Sequence, residues 1–144
     1  MKSKVIRSAE GSRLVVLGDN QTFKFTGEDT GGLFTTFIQE NPPGVQVPKH
    51  RHTNEDEFFH VIGGEVEFMV EDDLHILQAG DMVFLPKGVA HGFKITGNSP
   101  ARVECSVYPS GLEHMFDELG RLPVGPPDLA AVAAICGKYG VHFV

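Results

Sequence analysis

The sequence predicts an all-β fold, a small barrel or sandwich of the jelly-roll kind. Two observations carry this reading. Seventeen glycines and nine prolines in 144 residues imply many tight turns, and short apolar or alternating segments lie between those turns. Strands at such even spacing are the material of closed or double-sheet β architectures. With 41% apolar residues the chain can bury a core, and its length fits one domain over residues 1–144.

Taken in order, residues 13–17 and 21–26 flank Gly18-Asp19-Asn20 and read as a hairpin. A third strand, 33–40, is entered through Gly31-Gly32 and closed by Pro42-Pro43-Gly44. Strands 45–52, 57–62 and 65–71 follow, the last two joined by Gly63-Gly64. Segments 74–78, 82–85 and 91–96 are separated by Ala79-Gly80-Asp81 and Pro86-Lys87-Gly88, and 101–108 completes a barrel core of about residues 13–108. The chain then turns helical over about 110–140. Ser110 and Glu113 have capping-box spacing ahead of Leu112, Met115, Phe116 and Leu119 at helical intervals. A second helix is expected from Asp128 to Tyr139, with Leu129, Val132, Ala133 and Cys136 inward and Gly140 as terminator.

Composition excludes several classes of function. A net charge of −7 opposes nucleic acid as the main partner, because phosphate binding needs clustered Lys and Arg. The first residues lack the apolar run of a signal peptide, and no stretch approaches the ~20 apolar residues of a membrane span. Cys105 and Cys136 are too far apart for a CxxC pair, and Cys105 alternates with Val103 and Val107 as a buried strand thiol would. A soluble protein of a reducing compartment, the cytoplasm, is expected.

The chemistry concentrates in two frames. Gly44 is followed after five residues by His50-Arg-His52, after four more by Glu57, and after six more by Gly64. Residues two apart on a strand face the same way, so His50 and His52 can point inward together while Glu57 enters from the next strand. Fifteen residues after Gly64 comes the second frame, Gly80, Pro86-Lys-Gly88 and His91, whose turn aims His91 back inward. Three imidazoles and one carboxylate suit a divalent transition ion, Fe, Mn, Co, Ni, Cu or Zn, better than the oxygen-seeking Ca²⁺ or Mg²⁺. His60 falls on the opposite strand face from Glu57. His75, His114 and His142 lie outside the frames and read as surface residues, and Glu71-Asp72-Asp73 reads as a solvated turn.

These frames resemble the two sequence motifs of the cupin superfamily at the short spacing seen in microbial members. The resemblance implies a double-stranded β-helix (jelly-roll) barrel, followed here by two short C-terminal helices, with His50, His52, Glu57 and His91 as ligands of one metal ion. One position departs from the pattern: Ile95 stands where the second motif usually ends in Asn. Gly31-Gly32, Pro42-Pro43-Gly44, Glu55-Asp56-Glu57, the segment Pro109-Ser-Gly-Leu-Glu-His114 and Lys138-Tyr-Gly-Val141 also resemble single-domain quercetin dioxygenase-like cupins. In those enzymes the metal-bound Glu is also the base, a role that would fall on Glu57. Cupins often dimerise, which implies a homodimer formed through the N-terminal strands and terminal helix.

On strand parity, Phe37, Phe59, Met69, Phe84 and Phe93 are expected to line a cavity around the metal. Such a cavity suits an aromatic or otherwise weakly polar small molecule. The leading expectation is an O₂-using, dioxygenase-like oxidoreductase acting on an enolic or phenolic compound. An isomerase or lyase that consumes no O₂, and a small-molecule-binding module without turnover, are the alternatives.

Overall fold

The computed structural model describes residues 1–144. Its elements are β1 Ser12–Val16, β2 Asp19–Phe25, α1 Gly27–Thr30, β3 Thr35–Asn41, β4 Gln46–His52, β5 Asp56–Gly63, β6 Glu65–Val70, β7 Asp73–Gln78, β8 Met82–Leu85, β9 His91–Thr96, β10 Ala101–Tyr108, α2 Leu112–Gly120, α3 Leu129–Lys138 and β11 Val141–Phe143. The strands form two antiparallel sheets, ordered β1-β2-β3-β10-β5-β8 and β11-β4-β9-β6-β7. This is the jelly-roll architecture. The inward residues of both sheets, among them Phe37, Val61, Val66, Phe68, Leu85, Ile95 and Cys105, form the core, and Leu112, Met115, Leu119, Val132 and Cys136 of the helices join it.

Several local expectations are corrected. The first hairpin turns on Leu17-Gly18, because Val16 pairs with Asp19, so Asp19 and Asn20 belong to β2. Both turn residues have positive φ, 52° and 85°, which matches the right-handed twist of the flanking strands. Ser110 does not cap α2; Gly111 occupies the N-cap and no side chain caps it. The carboxylate of Glu113 instead accepts the N–H of Gly111 at 2.6 Å, the N–H of Gly27 at 2.8 Å and the hydroxyl of Thr35 at 2.8 Å. It thereby ties the helix to α1 and β3. In α3, Asp128 is the N-cap, accepting from the N–H groups of Ala130 and Ala131. Val132 and Cys136 are buried there, whereas Leu129 and Ala133 face solvent. Two further elements, the single turn α1 and the short β11, which pairs with β4, carry no periodic signal in the sequence.

Ile95 sits inside β9, 2% exposed, where its N–H donates to the carbonyl of Val45 and its carbonyl accepts from Gly44. An apolar side chain suits that buried place. No helix of the chain is long and apolar enough to cross a membrane.

Candidate metal centre

His50 and His52 lie on β4, His91 on β9 and Glu57 on β5, so the centre draws on both sheets. The alternation of β4 alone does not bring the histidines inward. Val47 pairs with Phe93 and His50 with His91, so Pro48 and Lys49 together oppose the single residue Gly92. That irregularity shifts the parity of β4 by one residue, as a β-bulge does, and turns His50 and His52 to the cavity. Gly92 is the condition for it: a Cβ there would meet the carbonyl oxygen of Val47 at 2.8 Å and the nitrogen of Lys49 at 3.0 Å. The turn before His91 is anchored to the same region, since Gly88 donates to the carbonyl of His52 at 2.8 Å and Lys87 N–H to Asp56 at 2.8 Å.

All four side chains are buried, and one potential ligand atom from each lies within 4.8 Å of the others. Nε2 of His50 and of His52 are 3.1 Å apart, and Oε2 of Glu57 is 3.1 Å from Nε2 of His52 and 2.7 Å from Nε2 of His91. The outer ring nitrogens are engaged elsewhere. Nδ1 of His50 lies 2.8 Å from the carbonyl of Pro48, Nδ1 of His91 lies 3.2 Å from the carbonyl of Val89, and Nδ1 of His52 lies 3.3 Å from the carboxylate of Glu55. The carbonyls of Pro48 and Val89 can only accept, so Nδ1 of His50 and of His91 carries a hydrogen, and all three rings turn Nε2 to the centre.

The electrostatics set the rings apart. Burial, reinforced by His91, pushes His50 down to about 4, so its ring is neutral. Burial also opposes charge on His52, but the carboxylates of Glu57 and Glu55 outweigh it and lift that ring to about 9. Glu57 is fully enclosed, which favours its proton, yet His52 and His91 hold it below the usual carboxylate range. Oε2 of Glu57 and Nε2 of His91 are nonetheless buried without a hydrogen bond of acceptable geometry. Three ring nitrogens and a carboxylate oxygen converging on one buried point, two of them without a hydrogen bond, are what a cation resolves. The donor set therefore fits a divalent transition ion, and the four residues form a candidate metal site.

The site opens on a cavity of about 130 Å³ whose lining includes Phe37, Phe59 and Phe93 beside His50, His52 and Glu57. Met69 and Phe84 are corrected: neither lines it. Phe68 takes the inward place on β6 and is fully buried, which turns Met69 outward, while Leu85 takes it on β8 and leaves Phe84 62% exposed. Phe116 of α2 contributes a ring that sequence parity did not offer, 5.3 Å from Phe37. His60 faces away, its Nδ1 3.8 Å from Glu104, and His75, His114 and His142 are exposed. Glu71 and Asp72 form the turn between β6 and β7. Two participants were missed. Glu55, the orienting partner of His52, stands in the acidic run Glu55-Asp56-Glu57, whose charge alone says nothing of burial. Cys105, read as a buried strand thiol, also lies 3.9 Å from Oε1 of Glu57.

Residues 37–108, half of the chain, match the family model described as a cupin domain. The chain is 24% identical over 116 residues to quercetin 2,3-dioxygenase of Bacillus subtilis, a match over 81% of this chain and 34% of that protein. It is 31% identical over 93 residues to protein SchB of Streptomyces halstedii, over 65% of each. The matches thus span from a third to just under two thirds of these relatives. The crystal structure of a predicted oxalate decarboxylase from Thermotoga maritima superposes with a TM-score of 0.67 at 23% identity, covering 74% of this chain and 99% of that one. At that identity the likeness concerns the fold.

Proposed function

Because the chain belongs to the cupin domain family, we propose that it is a metal-dependent oxidoreductase, which binds a small phenolic or enolic compound by its oxygen and oxidises it with O₂. One observation carries this: a buried cluster of three imidazoles and one carboxylate opens directly onto an aromatic-walled cavity. The match to a quercetin 2,3-dioxygenase supports the O₂-using part. His50, His52, His91 and Glu57 would hold the ion. When bound, a divalent transition metal supplies Lewis acidity and open coordination positions for oxygen ligands.

The remaining work falls to the chain. Phe37, Phe59 and Phe93 exclude water and give a flat substrate apolar walls. Glu57 is the acceptor for the substrate hydroxyl proton, being the carboxylate that lines the cavity beside the imidazoles. Glu55, Pro48 and Val89 hold the three rings in the orientation that turns Nε2 inward.

The test is an oxygen-uptake screen. Protein reconstituted in turn with Fe, Mn, Co, Ni, Cu and Zn is mixed with phenols and enols, with and without air. Substrate loss with stoichiometric O₂ consumption is expected. Equal turnover under argon would replace the proposal by an isomerase or lyase, and binding without turnover by a small-molecule-binding module.

A further inference from the structure

Asp19, at the start of β2, is a buried carboxylate satisfied by amides. Its Oδ2 accepts Nε2 of Gln21 at 2.9 Å and Nε2 of Gln39 at 2.7 Å, and its Oδ1 accepts Nδ2 of Asn41 at 2.7 Å. This fixes the orientation of the amides, because flipping either glutamine would aim a carbonyl oxygen at the carboxylate. Asn41 has its own oxygen occupied by Asn20, from the backbone N–H at 2.9 Å and the side-chain amide at 3.2 Å. The glutamines do not. Oε1 of Gln21 and Oε1 of Gln39 are buried and have no donor, although the residues are only 2% and 4% exposed. The two are direct partners across β2 and β3. Asp19, Gln21 and Gln39 line the same cavity as His50, His52 and Glu57.

Two donorless acceptors beside a buried carboxylate disfavour an empty or apolar neighbour. The fold does not require them, since Phe23 and Phe37 hold the next inward places on the same strands with apolar rings 5.2 Å apart. We propose that Asp19, Gln21 and Gln39 form an acceptor-rich subsite that binds a hydroxyl or amino donor at the far end of a small ligand whose oxygen lies at the candidate metal site. The placement of that oxygen rests on the function proposed above. Gln39 stands opposite Val103 and Glu57 opposite Val107, on either side of β10. Four residues of strand separate the two levels, about 13 Å measured along β10, a gap shortened by side chains reaching in from both ends. The ligand is therefore elongated, with an apolar middle against Phe37 and Phe59, and carries no negative charge at its far end.

The experiment uses cobalt(II)-loaded protein and four para-substituted phenols: 4-(2-hydroxyethyl)phenol, 4-(2-aminoethyl)phenol, 4-ethylphenol and 3-(4-hydroxyphenyl)propanoate. Calorimetry reads affinity, and the visible spectrum of cobalt reads whether the phenol oxygen reaches the metal. The hydroxyl or amino compound is expected to bind about tenfold tighter than 4-ethylphenol, the factor for one net hydrogen bond, and the propanoate more weakly. Comparing the first two identifies the preferred donor. Gln21→Leu/Gln39→Leu should abolish the preference, and Gln39→Leu alone should reduce it should the double variant not fold. Equal affinities in the wild type, no binding of any compound, or a preference that survives both substitutions would overturn the subsite. A retained preference with an unperturbed cobalt spectrum would uphold the subsite and count against the metal-bound phenol instead.

Discussion

The thiol of Cys105 lies 3.9 Å from Oε1 of Glu57, while His52 and His91 approach the other oxygen, Oε2. Burial first, and then the charge of Glu57, push that thiol well above its ordinary range. Cys105 is therefore a neutral donor that braces the carboxylate from behind.

Glu57→Gln keeps size and one oxygen donor but removes charge and basicity. Three imidazoles remain, so metal content by elemental analysis should persist with some loss of affinity. Turnover should fall about 10²–10⁴-fold, the usual contribution of a general base. An undiminished rate would remove Glu57 from proton transfer and leave it a ligand only.

Glu55→Ala leaves every proposed ligand in place yet frees the ring of His52 from its 3.3 Å partner. Outer partners of metal-bound histidines typically govern about 10–100-fold in affinity. A loss of that order is expected in chelator competition, and an unchanged affinity would show that the ring is held without Glu55.

Metal removal should lower the melting temperature without unfolding the chain at room temperature, because the core shared by both sheets does not depend on the site. At free metal a hundredfold above Kd, binding adds about 2.7 kcal/mol, or about 5–10 °C for a chain of this size. Calorimetric scans with and without chelator check this, and coincident scans would mean that no ion binds the folded state.

Gly92→Ala places a methyl carbon against the backbone of Val47 and Lys49. Neither atom belongs to a movable side chain, so the strands must separate. A cost of about 1–3 kcal/mol is expected, together with weaker metal binding as His50 and His91 lose register. Chemical denaturation and metal titration of the variant report the two effects.

Glu113 gives the clearest pH dependence. Burial would raise its carboxyl, but the N–H groups of Gly27 and Gly111 and the hydroxyl of Thr35 hold it below the ordinary 4.5. The unfolded chain therefore binds this proton more readily than the folded one. Its stabilising effect is complete above the unfolded value and is lost as pH falls through the lower folded one. Glu113→Gln should accordingly melt below the wild type at pH 7, and the gap should narrow as pH drops below about 4.5. A gap that is constant with pH would show that the carboxylate charge is not what ties α2 to α1 and β3.

Much of this molecule can be read from its residues, for physical reasons that also mark where reading stops. The strands are legible because side-chain direction alternates with period two and glycines and prolines punctuate them. His50 and His52 share that period, and Glu57 and His91 stand at fixed distances behind their turns. The bulge at Pro48-Lys49 is only half legible: a proline inside a strand marks an edge or a bulge, but nothing in those two residues names the one glycine they oppose, forty-odd positions on. Met69 was misplaced because Phe68, Met69 and Val70 are all apolar and sequence alone does not set their parity. Glu55, Gln21 and Gln39 escape for a different reason. Polar residues read as solvated until a fold encloses them, and only partners distant in sequence reveal their burial. The terminal β11 is three residues long, too short for any periodicity, and its pairing with β4 is set by tertiary contact.

Three imidazoles stand on one sheet and the carboxylate on the other, so an ion held by all four would act as a clasp between layers. Its release would remove that tie, so a bound ion would damp the breathing of the sandwich. Slower deuterium uptake at the amides of β5 and β9 with the ion bound is the kinetic signature that this division of ligands implies.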